Sequence, residues 1–321
     1  MASRTALITG GGGFIGRRLA RGLAEAGYRV RGLDLADAAA GAYRALGGEL
    51  LVGDMRKGDD LARACDGADL VVHTAARMGI EDDWDGFRAV NVAGADRVAA
   101  AARRGGASAL VHLSSVMVYG FDFPDGVAEE GPLDGANNPY CQTKIESEQA
   151  VMGHHAPGAF DVTVIRPGDV YGPGSQPWVR TPVTLMKAGL WANVACESAL
   201  HNHVYVDNLV DGIRIVLDAG RSGEAFNVTD GVRTPTRAFF GHFERLLGLS
   251  IPAVCADELI AKGQPAAWIR YLTRSATYSI EKIRKLGYRP RIGLDEGMAI
   301  TAHWLREEGL VPPAPAGGGA Q

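Results

Sequence analysis

Short, continuous apolar runs recur along this chain, separated by longer alanine-rich stretches with helical spacing. Thr5–Thr9, Arg29–Leu33, Glu49–Val52, Leu70–His73, Leu110–Ser114 and Val162–Arg166 read as six strands, the second closing on Asp34 and the third on Gly53-Asp54. Runs without polar alternation are the mark of strands buried on both faces. Phe14–Ala26 sets Ile15, Leu19 and Leu23 at steps of four on one helical face, and Gly27 ends it. Arg88–Arg103 reads as a long helix.

Strands alternating with helices predict an α/β fold, a doubly wound parallel sheet of the Rossmann type. The rhythm loosens after Gly172. Val204–Leu217 and Ala225–Val228 read as elements returning to the main sheet, whereas Pro173–Asn202 and most of the chain from about Arg233 read as smaller units. The expected organisation is a dinucleotide-binding unit over 1–172 and about 203–230. A smaller, discontinuous substrate lobe takes about 173–202 and 231–311, and the Pro/Gly/Ala-rich 312–321 reads as a mobile tail. Ligands of such folds bind at the carboxyl ends of the strands, between the lobes.

Composition narrows the class. The 321 residues are 46% hydrophobic and 22% charged, ample for a large core. A formal net charge of −4 without a long basic run argues against nucleic-acid or anionic-membrane partners. Cys65, Cys141, Cys196 and Cys255 form no CxxC, which fits a reduced compartment. The N-terminus lacks the features of a signal peptide, and no apolar run has the length of a membrane span. The expectation is a cytoplasmic protein with a small-molecule substrate.

Gly10, Gly13 and Gly16 are spaced GxxGxxG between the first strand and the first helix. Residues without a Cβ let the backbone approach a pyrophosphate, and the helix N-terminus at Phe14 and Ile15 offers free N–H groups and a positive dipole end. Asp34 closes the next strand 18 residues after Gly16. A carboxylate there accepts hydrogen bonds from ribose hydroxyls and repels a 2′-phosphate, so the cofactor read from the loop is NAD rather than NADP.

Tyr140 and Lys144 lie four apart, and Ser115 lies 25 residues upstream of the tyrosine. A tyrosine holds its proton to about pH 10. A neighbouring ammonium on the same helical face favours the phenolate. Asn138-Pro139 is a suitable start for that helix. Ser115, at a strand end, can orient a hydroxyl or carbonyl while proton and hydride move. Tyr278 and Lys282 repeat the spacing outside the nucleotide fold and read as an ordinary surface helix start. His154-His155 and His201/His203 lack a third ligand at metal-binding spacing, so no metal site is expected.

With these residues the chain resembles the extended short-chain dehydrogenases/reductases. The matching segments are Thr9–Gly16, Asp54, His73-Thr74-Ala75-Ala76, Asn91-Val92-Ala93-Gly94, Ser114–Gly120, Tyr140–Lys144 and Arg166–Pro173. The resemblance implies NAD(P) laid across the sheet. It sets Asp54 and Met55 near the adenine, and Ala75, Ala76 and Ser114 along the cofactor. Lys144 falls on the nicotinamide ribose, and Pro167 and Val170 flank the nicotinamide. It makes Tyr140 the acid/base, Ser115 the substrate anchor and Asn91 a supporting residue. It also implies a homodimer through the Arg88–Arg103 and Tyr140–Ala150 helices.

Departures from the family pattern narrow the reaction. Members that dehydrate nucleotide sugars resemble Thr-Asp-Glu where this chain has Ser115-Val116-Met117, without the acid that expels water. Nucleotide-sugar epimerases resemble an Arg-Asp-aromatic run where His201-Asn202-His203 stands, and an asparagine where Asp169 stands. Arg180, Arg233 and Arg274 are the remaining candidates for a phosphate grip. His203–Val210 and Phe226–Gly231 look more like the 3β-hydroxysteroid and sterol-4-carboxylate dehydrogenase branch. Trp178, Leu185, Met186, Leu190, Trp191, Trp268, Tyr271 and Leu272 offer the lobe apolar surface, for its own core or for a ligand. The expected activity is NAD-dependent oxidation of a secondary alcohol or reduction of a ketone. The alternatives are a nucleotide-sugar 4-epimerase and a non-catalytic NAD sensor.

Overall fold

The computed structural model describes residues 4–79 and 82–313. The strands are β1 (Thr5–Thr9), β2 (Arg29–Asp34), β3 (Glu49–Val52), β4 (Leu70–His73), β5 (Ala109–Leu113), β6 (Asp161–Pro167) and the edge strand Glu224–Val228. They form one seven-stranded parallel sheet in the order Glu224–Val228, β6, β5, β4, β1, β2, β3. The two-residue period sorts the side chains. Ile8, Val72 and Val111 join a core with Leu19 and Leu23 of the helix Phe14–Glu25. Leu7, Val71, Leu110 and Val162 join a second core with Leu61, Val98 and Val151, from helices on the other face. The order reverses between β1 and β4, and the cleft at their carboxyl ends is where such sheets take ligands.

Two expectations are corrected here. The Arg88–Arg103 helix is not uniform. It comprises an α-helical turn at Trp84–Phe87, a π-helical stretch at Arg88–Val92 and the α-helix Ala93–Arg104. Asn91 sits in the π stretch with its side chain buried. The Val204 segment does not return to the main sheet. The strand His203–Tyr205 pairs with Asp169–Tyr171 in a separate two-stranded parallel sheet. The reason lies at the end of β6. Gly168 donates its N–H to Val228 O, Asp169 donates its own to Asn202 O, and the chain steps out of the sheet plane. The helix Val206–Asp218 then packs on Phe14–Glu25, with Val210 against Gly22.

Beyond Tyr171 the strands are short, in the pairs Leu200–His201 with Thr234–Pro235 and Asn193–Val194 with Ala253–Val254, and the helices include Thr236–Leu247 and Ala266–Leu272. One apolar cluster runs unbroken from Ile8 and Val72 to Trp178 and Phe239. Among the described residues no helix is long and apolar enough to cross a membrane. Most of the 312–321 tail expected from composition lies outside them.

Candidate active site

The site is built on the turn after β1. Gly10 has φ +69°, and its N–H and that of Gly11 both donate to Leu33 O, which folds the turn onto the end of β2. A Cβ at Gly10 would come within 2.9 Å of Ala75 N and Thr74 Oγ1. Gly13 donates to Gly10 O at 3.0 Å and stands at the N-cap of the helix, which has no side-chain cap and no acid in its first turn. The first-turn N–H groups at Phe14 and Ile15 are thus left for an anion, the arrangement a pyrophosphate requires. A Cβ on Gly16 would strike Gly10 O and lie 2.9 Å from Gly11 Cα. Gly16→Ala is expected to cost about 1–3 kcal/mol of stability by overpacking and to lose NADH-induced stabilisation, readable as melting temperature with and without nucleotide.

Asp34 is held in place by the backbone around it. Its carboxylate accepts from Gly12 N at 2.9 Å and from Leu35 N at 2.8 Å, and it remains partly exposed. Asp54 accepts from the backbone N–H of Arg56 and from its guanidinium at 2.7 Å, and Arg56 holds its carboxyl below the ordinary carboxylate range. Met55 is buried against Gly94. Ala75 and Ala76 leave β4 half-buried, Ala75 against Gly10. Asn91 Oδ1 accepts from Arg77 N at 2.7 Å, while its Nδ2 donates to Arg77 O and Thr143 Oγ1. It therefore ties the segment after Ala76 to the tyrosine helix.

That helix, Pro139–Met152, starts at an Asn138 side chain accepting from Cys141 N, with Pro139 in the first turn. Ser115 follows β5, buried, and its Oγ accepts from Met117 N at 3.1 Å. Ser114 is buried, with a hydroxyl that has no partner among the described residues. Tyr140 is pushed up to about 12 by burial, and a hydrogen bond with the Ser115 hydroxyl opposes that rise. The structure thus brings Ser115 to the phenol. Pro167 ends β6 and Val170 is the middle residue of the short strand Asp169–Tyr171, both buried.

Lys144 is 2% exposed and donates from Nζ to Leu113 O at 2.7 Å. Burial, and not the expected ammonium effect, sets Tyr140 here, and the ammonium is turned to the strand end. The lysine itself is lowered to about 8 by burial, with Glu148 opposing. Since this folded value lies below 10.5, the unfolded chain binds the extra proton between about 8 and 10.5, and stability at this site rises with pH through that window. The stability difference between Lys144→Met and wild type is expected to be most favourable to the variant below pH 8, shrinking as pH approaches 10.5. Urea melts across that range check it.

Sequence reasoning missed a seam beneath Lys144. Thr9, His73 and His112 are register neighbours on β1, β4 and β5. Thr9 Oγ1 lies 2.6 Å from His73 Nδ1, the two imidazoles stack at 5.2 Å, and His112 Nε2 lies 3.0 Å from Ser147 Oγ. Burial, helped by the Lys144 charge, lowers His73 to about 3, so the pair is neutral. Parallel histidines on adjacent apolar strands were the only signal. Tyr278 is also corrected. It is not on the surface but 4% exposed, stacked on Phe123 at 4.6 Å, and accepts from Arg274 Nη1 at 2.7 Å.

Among the described residues no group of three or more His, Cys, Asp and Glu could hold a metal ion. His203 is instead held between Asp230 and Thr234. His201 lies between Phe239 and Trp178, at 3.9 and 4.8 Å.

Comparison with known proteins agrees with this geometry. A profile of the NAD dependent epimerase/dehydratase family matches residues 6–229. A 3 beta-hydroxysteroid dehydrogenase/Delta 5-->4-isomerase of Mycobacterium tuberculosis is 32% identical over 70% of this chain, a match spanning 64% of that relative's length. A 4-hydroxy-2-methyl-3-oxo-4-farnesyl-3,4-dihydroquinoline-1-oxide ketoreductase of Stigmatella aurantiaca is 28% identical over 98% of this chain and 97% of the relative. The solved structure of DesIV, a dTDP-glucose 4,6-dehydratase of Streptomyces venezuelae with NAD and TYD bound, superposes with TM-score 0.76 at 28% identity, covering 94% of this chain and 97% of that one. The chain belongs to the NAD dependent epimerase/dehydratase family, within the extended short-chain dehydrogenases/reductases, and NAD is the cofactor of that family.

Proposed function

We propose that this enzyme is an oxidoreductase that moves a hydride between NAD and a secondary alcohol or ketone on an apolar, uncharged substrate. The observation that carries the chemistry is the Ser115 hydroxyl placed close enough to Tyr140 to favour its phenolate, with Lys144 buried one helical turn on. When bound, NAD supplies the hydride acceptor. Gly10, Gly13, Gly16 and the N–H groups at Phe14 and Ile15 hold its pyrophosphate, and Asp34 its adenosine ribose. Asp54, Met55, Ala75, Ala76, Ser114, Pro167 and Val170 line its length.

In the oxidation direction Ser115 orients the substrate hydroxyl and Tyr140 takes its proton. The serine hydrogen bond favours the phenolate that does so. Lys144 holds the nicotinamide ribose, and Asn91 fixes the helix register through Thr143. The nucleotide-binding unit and the later lobe are taken to meet at this site. Dimerisation through the Arg88–Arg103 and Tyr140–Ala150 helices remains part of the same reading.

The substrate class rests on charge. Each arginine offered by the sequence for a phosphate grip has a carboxylate partner: Arg180 with Glu308, Arg233 with Asp125 at 2.7 Å and Arg274 with Asp169 at 3.3 Å. A nucleotide diphosphate would have to displace these pairs. This favours the alcohol dehydrogenase over the 4-epimerase, as do a hydroxysteroid dehydrogenase and a ketoreductase among the relatives. The test is a thermal-shift and turnover panel: sterols with NAD, read as NADH formed, alkyl ketones with NADH, read as NADH consumed, and UDP-sugars with the NAD-loaded enzyme. Stabilisation and turnover are expected with the first two groups. Stabilisation by UDP-sugars alone contradicts the reading.

A further inference from the structure

The Arg274–Asp169 pair belongs to a closed cluster that the catalytic trio does not use. Asp169 is 1% exposed, and its carboxylate accepts from the Tyr271 hydroxyl and from Arg274 Nη2. The other guanidinium nitrogens are also committed, Nε to Tyr271 O at 2.9 Å and Nη1 to the Tyr278 hydroxyl at 2.7 Å. The guanidinium carbon lies 3.6 Å above the centre of the Tyr271 ring. His201 Nδ1 stands 3.4 Å from Asp169 Oδ2, and burial keeps that imidazole neutral by lowering it well below its ordinary value. One acid and one base therefore cancel, and each of the three guanidinium nitrogens has a partner.

The cluster borders the reacting end of the cleft. Asp169 adjoins Val170, two residues past Pro167. Tyr271 lies on the helix Ala266–Leu272, whose Arg270 donates to Asp122 at 2.6 Å and lies over Phe121 at 4.9 Å, on the loop that follows Ser115. An unpaired arginine at this place would be a ready partner for a phosphate, since its planar fork matches that geometry.

We propose that Asp169 is a specificity-determining residue: by holding Arg274 in a neutral, closed cluster it denies the cleft a cation and so excludes phosphate-bearing substrates. The claim deepens the apolar-substrate reading and names what enforces it. Replacing the acid without changing its shape leaves the guanidinium charge uncompensated.

The test uses the NADH-saturated enzyme, so that the glycine loop is filled, with inorganic pyrophosphate and UDP as probes. Wild type is expected to show no shift in melting temperature with either. Asp169→Asn is expected to bind both about tenfold or more tightly than wild type, and Asp169→Asn/Arg274→Met to lose that gain. A folded Asp169→Asn that ignores both probes overturns the proposal, as does a gain that survives in the double variant. If Asp169→Asn does not fold, Arg274→Met in the native chain decides. The proposal expects it to be as indifferent to pyrophosphate as wild type, and a wild-type shift that this variant removes refutes it. Failure here is separable from failure of the alcohol reading, which depends on wild-type turnover alone.

Discussion

Tyr140→Phe is expected to bind NADH as wild type does and to lose turnover by about 10²- to 10⁴-fold, the usual contribution of one positioned proton-transfer group. The substitution removes only the hydroxyl. The ring keeps its edge-on contact with Phe87 at 6.5 Å, and Pro139 and Asn138 still start the helix. What is lost is the phenol oxygen whose ionisation Ser115 favours. The effect should fall on kcat more than on nucleotide affinity, because the pyrophosphate turn and Asp34 belong to other segments. The same change at Tyr278 provides the contrast. That hydroxyl accepts from Arg274 in a packed aromatic cluster, so Tyr278→Phe should lower the melting temperature while Tyr140→Phe does not. Steady-state kinetics and a nucleotide titration on the two variants separate these outcomes. Full turnover in Tyr140→Phe with normal NADH binding refutes the assignment.

Glu148→Ala is expected to destabilise the protein by about 3–5 kcal/mol, the range for breaking one side of a buried ion pair. Arg166 donates to Glu148 through Nε at 2.9 Å and Nη2 at 2.7 Å, and the two side chains are 6% and 8% exposed. Its Nη1 is bound by the Tyr119 hydroxyl and Glu129 O, and Tyr119 in turn donates to Asn227 at 2.8 Å. Removing the acid leaves a guanidinium charge inside the sheet–helix interface with only neutral partners. The pair also reaches the site. Glu148 lies one turn past Lys144 and raises its pKa against burial, so Glu148→Ala should lower the lysine further. Urea unfolding at constant slope measures the stability term. A loss under about 1 kcal/mol, the scale of an exposed pair, contradicts the burial argument.

The sheet was legible because its strands are apolar on both faces. The expected bounds of β1, β3 and β4 coincide with Thr5–Thr9, Glu49–Val52 and Leu70–His73, and β2, β5, β6 and the edge strand differ by a residue or so at their ends. The glycine turn was legible from its flanks, and the nearness of Ser115 to Tyr140 followed from the order of motifs. Non-local choices left no such trace. The π-helical stretch at Arg88–Val92 is too short for a change of period to be read from its few residues, so Asn91 was expected on an ordinary helix. Tyr278 looked exposed because its polar neighbours are local, whereas its stacking partner Phe123 and its hydrogen-bonding Arg274 come from other segments. The Asp169–Arg274 pair joins positions 105 apart, a spacing no periodicity encodes. The acidity of Tyr140 was read from Lys144 alone, which omitted the burial that dominates it.

Hydride transfer itself is the most direct measurement. A cyclic secondary alcohol carrying deuterium on its carbinol carbon, incubated with the enzyme and NAD, is expected to give free NADH that holds the deuterium, with the matching ketone in equal amount. Substrate returned with inverted configuration, no released NADH and no ketone would contradict the account and assign the site to epimerisation instead.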